Sequence, residues 1–191
     1  MKSIILFASG RGSNVAAILQ HFDQHPDLLH VALIVCNNPE AGVIDIARDR
    51  HIPLLLLSRE DIRQNNWIAG VAAYRPDLIV LAGYLRKIPE QLVRQFENRI
   101  INIHPALLPA YGGKGMYGMK VHQSVIAAGE KESGITIHYV NEHYDEGNII
   151  LQARCRIDSN DTPEQLAEKI HHLEHFYFPR AIEFLLQNHR P

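Results

Sequence analysis

An asparagine and a histidine occupy alternate positions near the middle of the chain, in the segment "IINIHPALLP" (residues 100–109). The apolar run around them predicts a strand, and alternate residues of a strand project from the same face of its sheet. Asn102 and His104 are therefore predicted to point the same way. An amide donor beside an imidazole can stabilise an oxyanion as a carbonyl becomes tetrahedral, and the histidine can exchange a proton near neutral pH. Taken alone, the pair fits equally well a hydrogen-bonded histidine that ends a strand.

A second candidate is the glycine-rich turn "SGRGSN" (9–14), which follows the first apolar run. N–H groups at the start of a helix favour an anion. The turn lacks a full dinucleotide fingerprint, because Val15 stands at the third glycine position, and it is not a Walker A loop. The pattern predicts a single phosphate monoester. The alternative is a plain strand-to-helix turn in which Ser13 or Asn14 caps the helix.

A third candidate is Asp145, in "HYVNEHYDEGNII" (138–150). It lies in a loop between two apolar segments and could orient a histidine or take a proton. The alternative is an ordinary turn aspartate ahead of Gly147.

Alternating short strands and helices must position these residues. The apolar runs predict strands at 3–9, 30–36, 52–57, 77–83 and 99–104, and the helical spacings predict helices at 14–22, 41–50, 60–74 and 89–96. This alternation is typical of a doubly wound, parallel α/β sheet. Ligands of such sheets bind beyond the carboxyl ends of the strands, where all three candidate segments are expected.

The pattern changes after residue 105. An irregular stretch runs to about 120, followed by a helix at 122–129 and two strands at 135–140 and 148–157. These strands are predicted to run antiparallel, which would make the sheet mixed. A long helix is predicted at 162–187, with Thr162 as its N-cap and Gln165 closing a capping box. Pro179 is predicted to kink or break this helix.

Composition restricts the class of protein. The 191 residues suit one domain, and a net charge of −2 does not indicate nucleic acid. Cys36 and Cys155 lie in apolar runs and indicate buried thiols in a reducing compartment. With no signal-peptide or membrane-span pattern, we expect a cytoplasmic protein. His171 and His175 are one helical turn apart but fit a solvated helix face, so no metal is predicted.

Five motifs occur in an order that is informative together: "GRGSN", "NIHPALLP", the Thr-x-His-x-Val of "ITIHYV", "DEGNIILQ" and "LEHFYFP". They resemble the phosphoribosylglycinamide formyltransferases, folate-dependent enzymes of purine biosynthesis, over about residues 3–187. The resemblance implies a Rossmann-like formyltransferase fold in one domain, 1–191. Its phosphate-binding half would be about 1–100, and its catalytic and folate-binding half about 101–191. It also implies formyl transfer from 10-formyltetrahydrofolate to the amine of glycinamide ribonucleotide.

The resemblance implies roles for individual residues. Asn102, His104 and Asp145 would be catalytic: Asn102 and a protonated His104 would hold the oxyanion, with Asp145 orienting or charging the histidine. Glu174 would contact the ribose hydroxyls. The phosphate would be held by Gly12, Ser13 and Asn14, and the folate by Leu85, Arg86, Ile88, Val140, the backbone of 139–145 and Asn102.

Other members of the same superfamily remain alternatives, namely a sugar-nucleotide formyltransferase or a formyltetrahydrofolate hydrolase. A tRNA formyltransferase would be expected to carry a further C-terminal domain, and a non-catalytic nucleotide-sugar module would be expected to lack the Asn–His–Asp set. The loop at 110–122 is longer than in many relatives, so roles for its residues stay open. The predicted partners are small molecules, not nucleic acid or membrane, and both a monomer and a homodimer are compatible with the sequence.

Overall fold

A computed structural model describes residues 1–188. In this part of the chain, seven strands form one sheet in the order β3-β2-β1-β4-β5-β6-β7. The strands are β1 (Lys2–Ala8), β2 (Leu29–Cys36), β3 (Leu54–Leu56), β4 (Leu78–Leu81), β5 (Ile100–His104), β6 (Glu132–Tyr139) and β7 (Ile149–Arg156). The first five are parallel, whereas β6 is antiparallel to β5 and β7 to β6. The predicted mixed, doubly wound sheet is confirmed.

Within residues 1–188, seven helices cover the two faces of the sheet: α1 (Ser13–Phe22), α2 (Val43–Asp49), α3 (Arg59–Gln64), α4 (Ile68–Ala73), α5 (Glu90–Gln95), α6 (Met119–Ala127) and α7 (Pro163–Asn188). Alternate residues of the strands pack into two separate apolar clusters. Ile4 and Leu6 of β1 face the cluster formed with α1, α2, α6 and α7. Ile5 and Phe7 face the cluster formed with α4 and α5.

The topological switch point lies between β1 and β4, because the chain first winds outward from β1 through β2 to β3 and then returns to β4 on the other side. Ser9 joins the two loops that leave these strands. Its N–H donates to the Gly83 carbonyl at 3.1 Å, and its Oγ accepts the N–H of Leu85 at 2.9 Å. Open α/β sheets bind ligands at this crevice.

Some predicted elements differ from the structure. The single helix predicted at 60–74 is two helices, α3 and α4, because Asn65 adopts a left-handed conformation with φ of 56°. α6 begins at Met119 rather than 122. α7 continues past Pro179, so the predicted break is wrong. Burial of neighbouring side chains such as Phe178 and Ile182 offsets the missing backbone hydrogen bond.

The start of α7 agrees with its sequence signature. Gln165 N–H donates to Thr162 Oγ1 at 3.3 Å, and Gln165 Oε1 accepts the Thr162 N–H at 2.8 Å, which is the predicted capping box. Cys36 is buried as predicted, but Cys155 is only half-buried because it lies on the edge strand β7. No helix within residues 1–188 is long and apolar enough to span a bilayer.

Candidate active site

Four polar side chains meet at the carboxyl end of β5. Asn102 and His104 lie on β5, and β6 places His138 opposite Asn102. Asp145 lies in the loop after β6, with Oδ2 at 3.6 Å from His104 Nδ1 and Oδ1 at 3.7 Å from His138 Nε2. The structure thus brings together the three residues predicted as catalytic. We refer to Asn102, His104, His138 and Asp145 as the catalytic cluster.

The orientation of the His104 ring follows from its hydrogen bond. Nε2 lies 2.8 Å from the carbonyl oxygen of Tyr111, and because a carbonyl only accepts, Nε2 carries the hydrogen. The neutral ring therefore presents the lone pair of Nδ1 to Asp145. Nδ1 of His104 and Oδ2 of Asp145, both hydrogen-bond acceptors, then lie 3.6 Å apart. A proton or a hydrogen-bond donor would bind favourably between them.

Burial governs the charge of His104. The residue is 3% exposed, and this desolvation lowers its pKa, although the Asp145 charge and the Tyr111 carbonyl act in the opposite direction. The neutral imidazole is favoured in the free protein near pH 7. The protonated His104 that the resemblance implies for formyl transfer stays a prediction, because this direction applies to the protein without bound substrates.

His138 is a member of the cluster to which the sequence reasoning gave no role. Its Nδ1 donates to the Tyr139 carbonyl at 2.8 Å, which leaves Nε2 to accept a hydrogen bond from Asn102 Nδ2 at 3.1 Å. One amide hydrogen of Asn102 is thereby fixed, and the second is available to a ligand. The position of His138 inside the apolar run "ITIHYV" is a sequence feature that could have indicated a role, but only the strand pairing shows its partner.

Asp145 is held in place by the backbone of the neighbouring loop. It adopts a left-handed conformation with φ of 57°, and its Oδ2 accepts the N–H of Gly113 at 2.9 Å. Burial opposes its ionisation, but hydrogen bonding, including that from the Gly113 N–H, lowers the pKa of Asp145. The carboxylate is therefore ionised near neutral pH.

The glycine-rich loop, residues 110–118, packs directly on this cluster. A Cβ at Gly112 would lie 2.5 Å from Leu108 Cδ2 and 3.3 Å from Asp145 Cβ, so a side chain there would require Leu108 to shift. The loop contacts His104 through Tyr111 and Asp145 through Gly113. Its glycine content was visible in the sequence, but these two contacts were not predicted.

The predicted phosphate loop lies at the switch point. Gly12 is the N-cap of α1 with φ of 81°, and no described side chain caps the helix. The predicted alternative, a side-chain cap from Ser13 or Asn14, is therefore wrong. The first turn also contains no acidic residue, so its N–H groups suit an anion. A Cβ at Gly12 would approach Ile46 Cδ1 to 2.8 Å, which explains the glycine.

Asn14 and Glu174, two residues predicted to hold the acceptor, touch each other. Asn14 Nδ2 donates to Glu174 Oε2 at 3.0 Å, and this contact links α1 to α7. Glu174 is 7% exposed, and burial raises its pKa to about 7 against the effect of the Asn14 hydrogen bond. Asn14 Oδ1 is buried and has no partner among residues 1–188.

The predicted folate residues flank the catalytic cluster, because β4 and β6 are the neighbours of β5. Leu85, after β4, is 54% exposed. Val140, after β6, packs against the cluster of α4 and α5 and donates its N–H to the Ile100 carbonyl at 2.9 Å. Ile88 is buried in the same apolar cluster and borders a cavity of about 280 Å³, whereas Arg86 is exposed.

Two histidines of α7, His171 and His175, lie one helical turn apart. The rings of His171 and His175 stack with centroids 6.1 Å apart. In the part of the chain that the structure describes, no group of three or more His, Cys, Asp or Glu residues could hold a metal ion.

Comparison with known proteins gives one consistent family. The family described as formyl transferase matches residues 2–182. The chloroplastic phosphoribosylglycinamide formyltransferase of Arabidopsis thaliana is 42% identical over 187 residues, which is 95% of this chain and 64% of the plant protein. The Bacillus subtilis phosphoribosylglycinamide formyltransferase is 39% identical over 191 residues, which is 97% of this chain and 95% of that protein.

A solved structure agrees with these relatives. The phosphoribosylglycinamide formyltransferase from Bacillus halodurans superposes with a TM-score of 0.87 at 35% identity, covering 98% of this chain and 96% of that one. Because this chain spans only 64% of the plant relative's length, similarity to that relative does not by itself assign the activity of a whole protein.

Proposed function

Since this chain belongs to the formyl transferase family, we propose that it transfers a formyl group from 10-formyltetrahydrofolate to the amine of 5′-phosphoribosylglycinamide. The observation that carries the proposal is the catalytic cluster, in which a neutral histidine and an ionised aspartate face each other beside an amide donor. The phosphate loop supports the choice of acceptor.

His104 and Asp145 are suited to move a proton. The Nδ1 lone pair of His104 faces the Asp145 carboxylate, so a proton released by an attacking amine has two acceptors within reach. The ionised Asp145 stabilises the imidazolium that forms. His104 can then return the proton to a leaving nitrogen, which makes it a general base and then a general acid.

Asn102 is suited to stabilise an oxyanion. His138 accepts one of its two amide hydrogens and so orients the group. The second hydrogen can bond to the oxygen of a carbonyl as negative charge develops there. Since the amide is held before any ligand binds, little reorganisation is needed in the transition state.

The acceptor would span from the phosphate loop to the catalytic cluster. β4 lies between β1 and β5, so the ends of β1 and β5 are two strand spacings apart, roughly 10 Å. A phosphoribosyl group can bridge such a gap. Its phosphate would bind the N–H groups of Gly12, Ser13 and Asn14, and Glu174 would bond to the ribose hydroxyls, replacing its contact with Asn14.

The folate co-substrate would bind on the other side, at the ends of β4 and β6, and would supply the formyl group. The residues present fit it: Leu85 offers an exposed apolar surface, Val140 a half-buried one, and Arg86 a guanidinium for a carboxylate. Ile88 supports this surface from beneath. We treat residues 1–191 as one formyltransferase domain with small-molecule substrates.

An acceptor comparison tests the proposal. The purified protein is supplied with 10-formyltetrahydrofolate and, in parallel, with phosphoribosylglycinamide, its dephosphorylated form, or a sugar-nucleotide amine. We expect formylation of the phosphorylated acceptor, and kcat/KM lower by at least about 100-fold without the phosphate, because several charge-assisted hydrogen bonds are lost. Faster formylation of the sugar nucleotide would overturn the acceptor assignment.

A further inference from the structure

Tyr111, a residue outside the catalytic cluster, contacts the His104 ring. Tyr111 accepts the hydrogen bond of His104 Nε2 through its backbone carbonyl at 2.8 Å. Its phenol donates to Glu130 Oε1 at 2.7 Å, just beyond the end of α6. The same residue therefore joins His104 to a surface carboxylate in the connection between α6 and β6.

The backbone of Tyr111 needs such an anchor. Its φ is 56°, in the left-handed region that a residue with a bulky side chain rarely adopts. Its ring packs against the apolar cluster of α1, α6 and α7, and Glu130 fixes the outer end of that ring. The Tyr111 side chain is thus contacted both along its ring and at its hydroxyl.

We propose that Tyr111 is a positioning residue for His104, whose carbonyl fixes the Nε2–H form of the ring and whose bond to Glu130 holds that carbonyl in place. The inference rests on the proposed function for its effect on catalysis. With Nε2 committed to Tyr111, only Nδ1 is free to face Asp145 and a substrate. Without that bond, the hydrogen can move to Nδ1, where it would donate to Asp145 and remove the base.

Other charged and titratable groups also face the His104 ring, and the test must separate them from Tyr111. Asp145 faces it from the loop after β6, His138 from β6, and His122 from α6. A change at the Tyr111 phenol alters none of these groups. A shift of the His104 tautomer in a phenol variant therefore reports on the carbonyl.

The experiment uses Tyr111→Phe and Glu130→Ala in the full chain, with Glu130→Gln as the conservative variant that keeps an acceptor. Tyr117→Phe is the matched control, because Tyr117 lies in the same loop and, within residues 1–188, its hydroxyl makes no hydrogen bond. Long-range 15N–1H spectra of histidine-labelled protein, assigned with a His104→Asn variant, report the tautomer directly.

We expect the Nε2–H form in the unaltered protein, and a mixture with Nδ1–H in Tyr111→Phe and Glu130→Ala. In both variants kcat should fall about 3- to 10-fold, and the acidic limb of its pH profile should move to lower pH, because the Tyr111 carbonyl favours the charged ring. Glu130→Gln and Tyr117→Phe should resemble the unaltered protein.

Two results would overturn the inference. One is an Nδ1–H ring in the unaltered protein. The other is a Tyr111→Phe variant with a lower melting temperature but an unchanged tautomer and pH profile, which would make Tyr111 merely structural. The spectra do not depend on which acceptor is used, so failure of the proposed reaction and failure of the Tyr111 role remain distinguishable.

Discussion

At the scale of single residues, each member of the catalytic cluster has only a weak sequence pattern, and its role follows from its neighbours in the fold. Strand alternation predicts that Asn102 and His104 share a face, and the structure agrees. His138 was missed because its role depends on the pairing of β6 with β5. What the sequence does not reveal is the burial that favours the neutral ring of His104 and the Tyr111 carbonyl that fixes its Nε2–H tautomer.

Replacing Asp145 by asparagine tests the coupling within the cluster. The variant keeps an acceptor for the Gly113 N–H, so the loop should stay in place. Because the Asp145 charge favours protonated His104, the pKa of His104 should fall further. We expect kcat to drop by about 10²–10⁴-fold, the usual range for a positioned acid or base. Stopped assays with saturating substrates measure the loss.

His104→Ala and the double variant complete this cycle. The double variant should be much less damaging than the product of the two single losses, since the residues act as one unit. Titration of His104 by NMR in the Asp145→Asn background provides the second readout. Fully multiplicative losses with an unmoved pKa of His104 would contradict the coupling.

Glu174 should make the stability of the fold depend on pH. Its pKa is raised from 4.5 to about 7, so the folded state holds the proton more tightly than the unfolded state does. Stability from this residue is therefore present at low pH and is lost as pH rises through that window. Glu174→Gln removes this dependence. The free energy of unfolding of the variant, relative to that of the unaltered protein, should therefore increase between about pH 5 and about pH 8.

Urea denaturation at the two pH values measures this difference. The same substitution at Glu164, an exposed residue of the same helix, controls for the loss of one charge. A Glu174→Gln difference that stays constant with pH would show that the raised pKa of Glu174 is wrong.

At the scale of elements, sequence patterns predict the structure correctly where they depend only on residues close together in the chain. The capping box of Thr162 and Gln165 needs only neighbouring residues, and it was predicted correctly. The continuation of α7 through Pro179 was not, because tertiary burial of the helix overrides a local cost of about 3 kcal/mol. The split between α3 and α4 at Asn65 likewise depends on one left-handed residue.

The start of α1 gives a test with an internal control. Gly12→Ala forces a side chain into a left-handed position and toward Ile46, so the free energy of unfolding should fall by about 1–3 kcal/mol. The distorted turn should also raise the KM for the phosphorylated acceptor on the order of 10-fold, because at least one charge-assisted hydrogen bond is lost.

Gly10→Ala is the matched control, because a Cβ there meets no atom within 4 Å. It should change stability by less than about 0.5 kcal/mol and leave the acceptor KM alone. Equal acceptor KM values for the two alanine variants would remove Gly12 from the binding site.

At the scale of the whole molecule, the order of the strands is what assembles the site. The alternation of elements predicts a parallel sheet, but it does not by itself place β4 between β1 and β5. That placement brings the predicted phosphate loop and the catalytic cluster to one edge of the sheet, with the predicted folate residues in the loops after β4 and β6. A sequence motif search can find each segment, whereas the distances between them require the fold.

The most direct test of the account is the fate of the formyl carbon. Folate carrying a 13C-formyl group is supplied with and without phosphoribosylglycinamide, and mass spectrometry follows the label on the acceptor and in free formate. We predict that nearly all label lost from folate appears on the acceptor nitrogen, that loss is slow without acceptor, and that Asp145→Asn slows transfer by about 10²–10⁴-fold. Release of the label as formate at the same rate with or without acceptor would contradict the proposed transfer and identify a hydrolase instead.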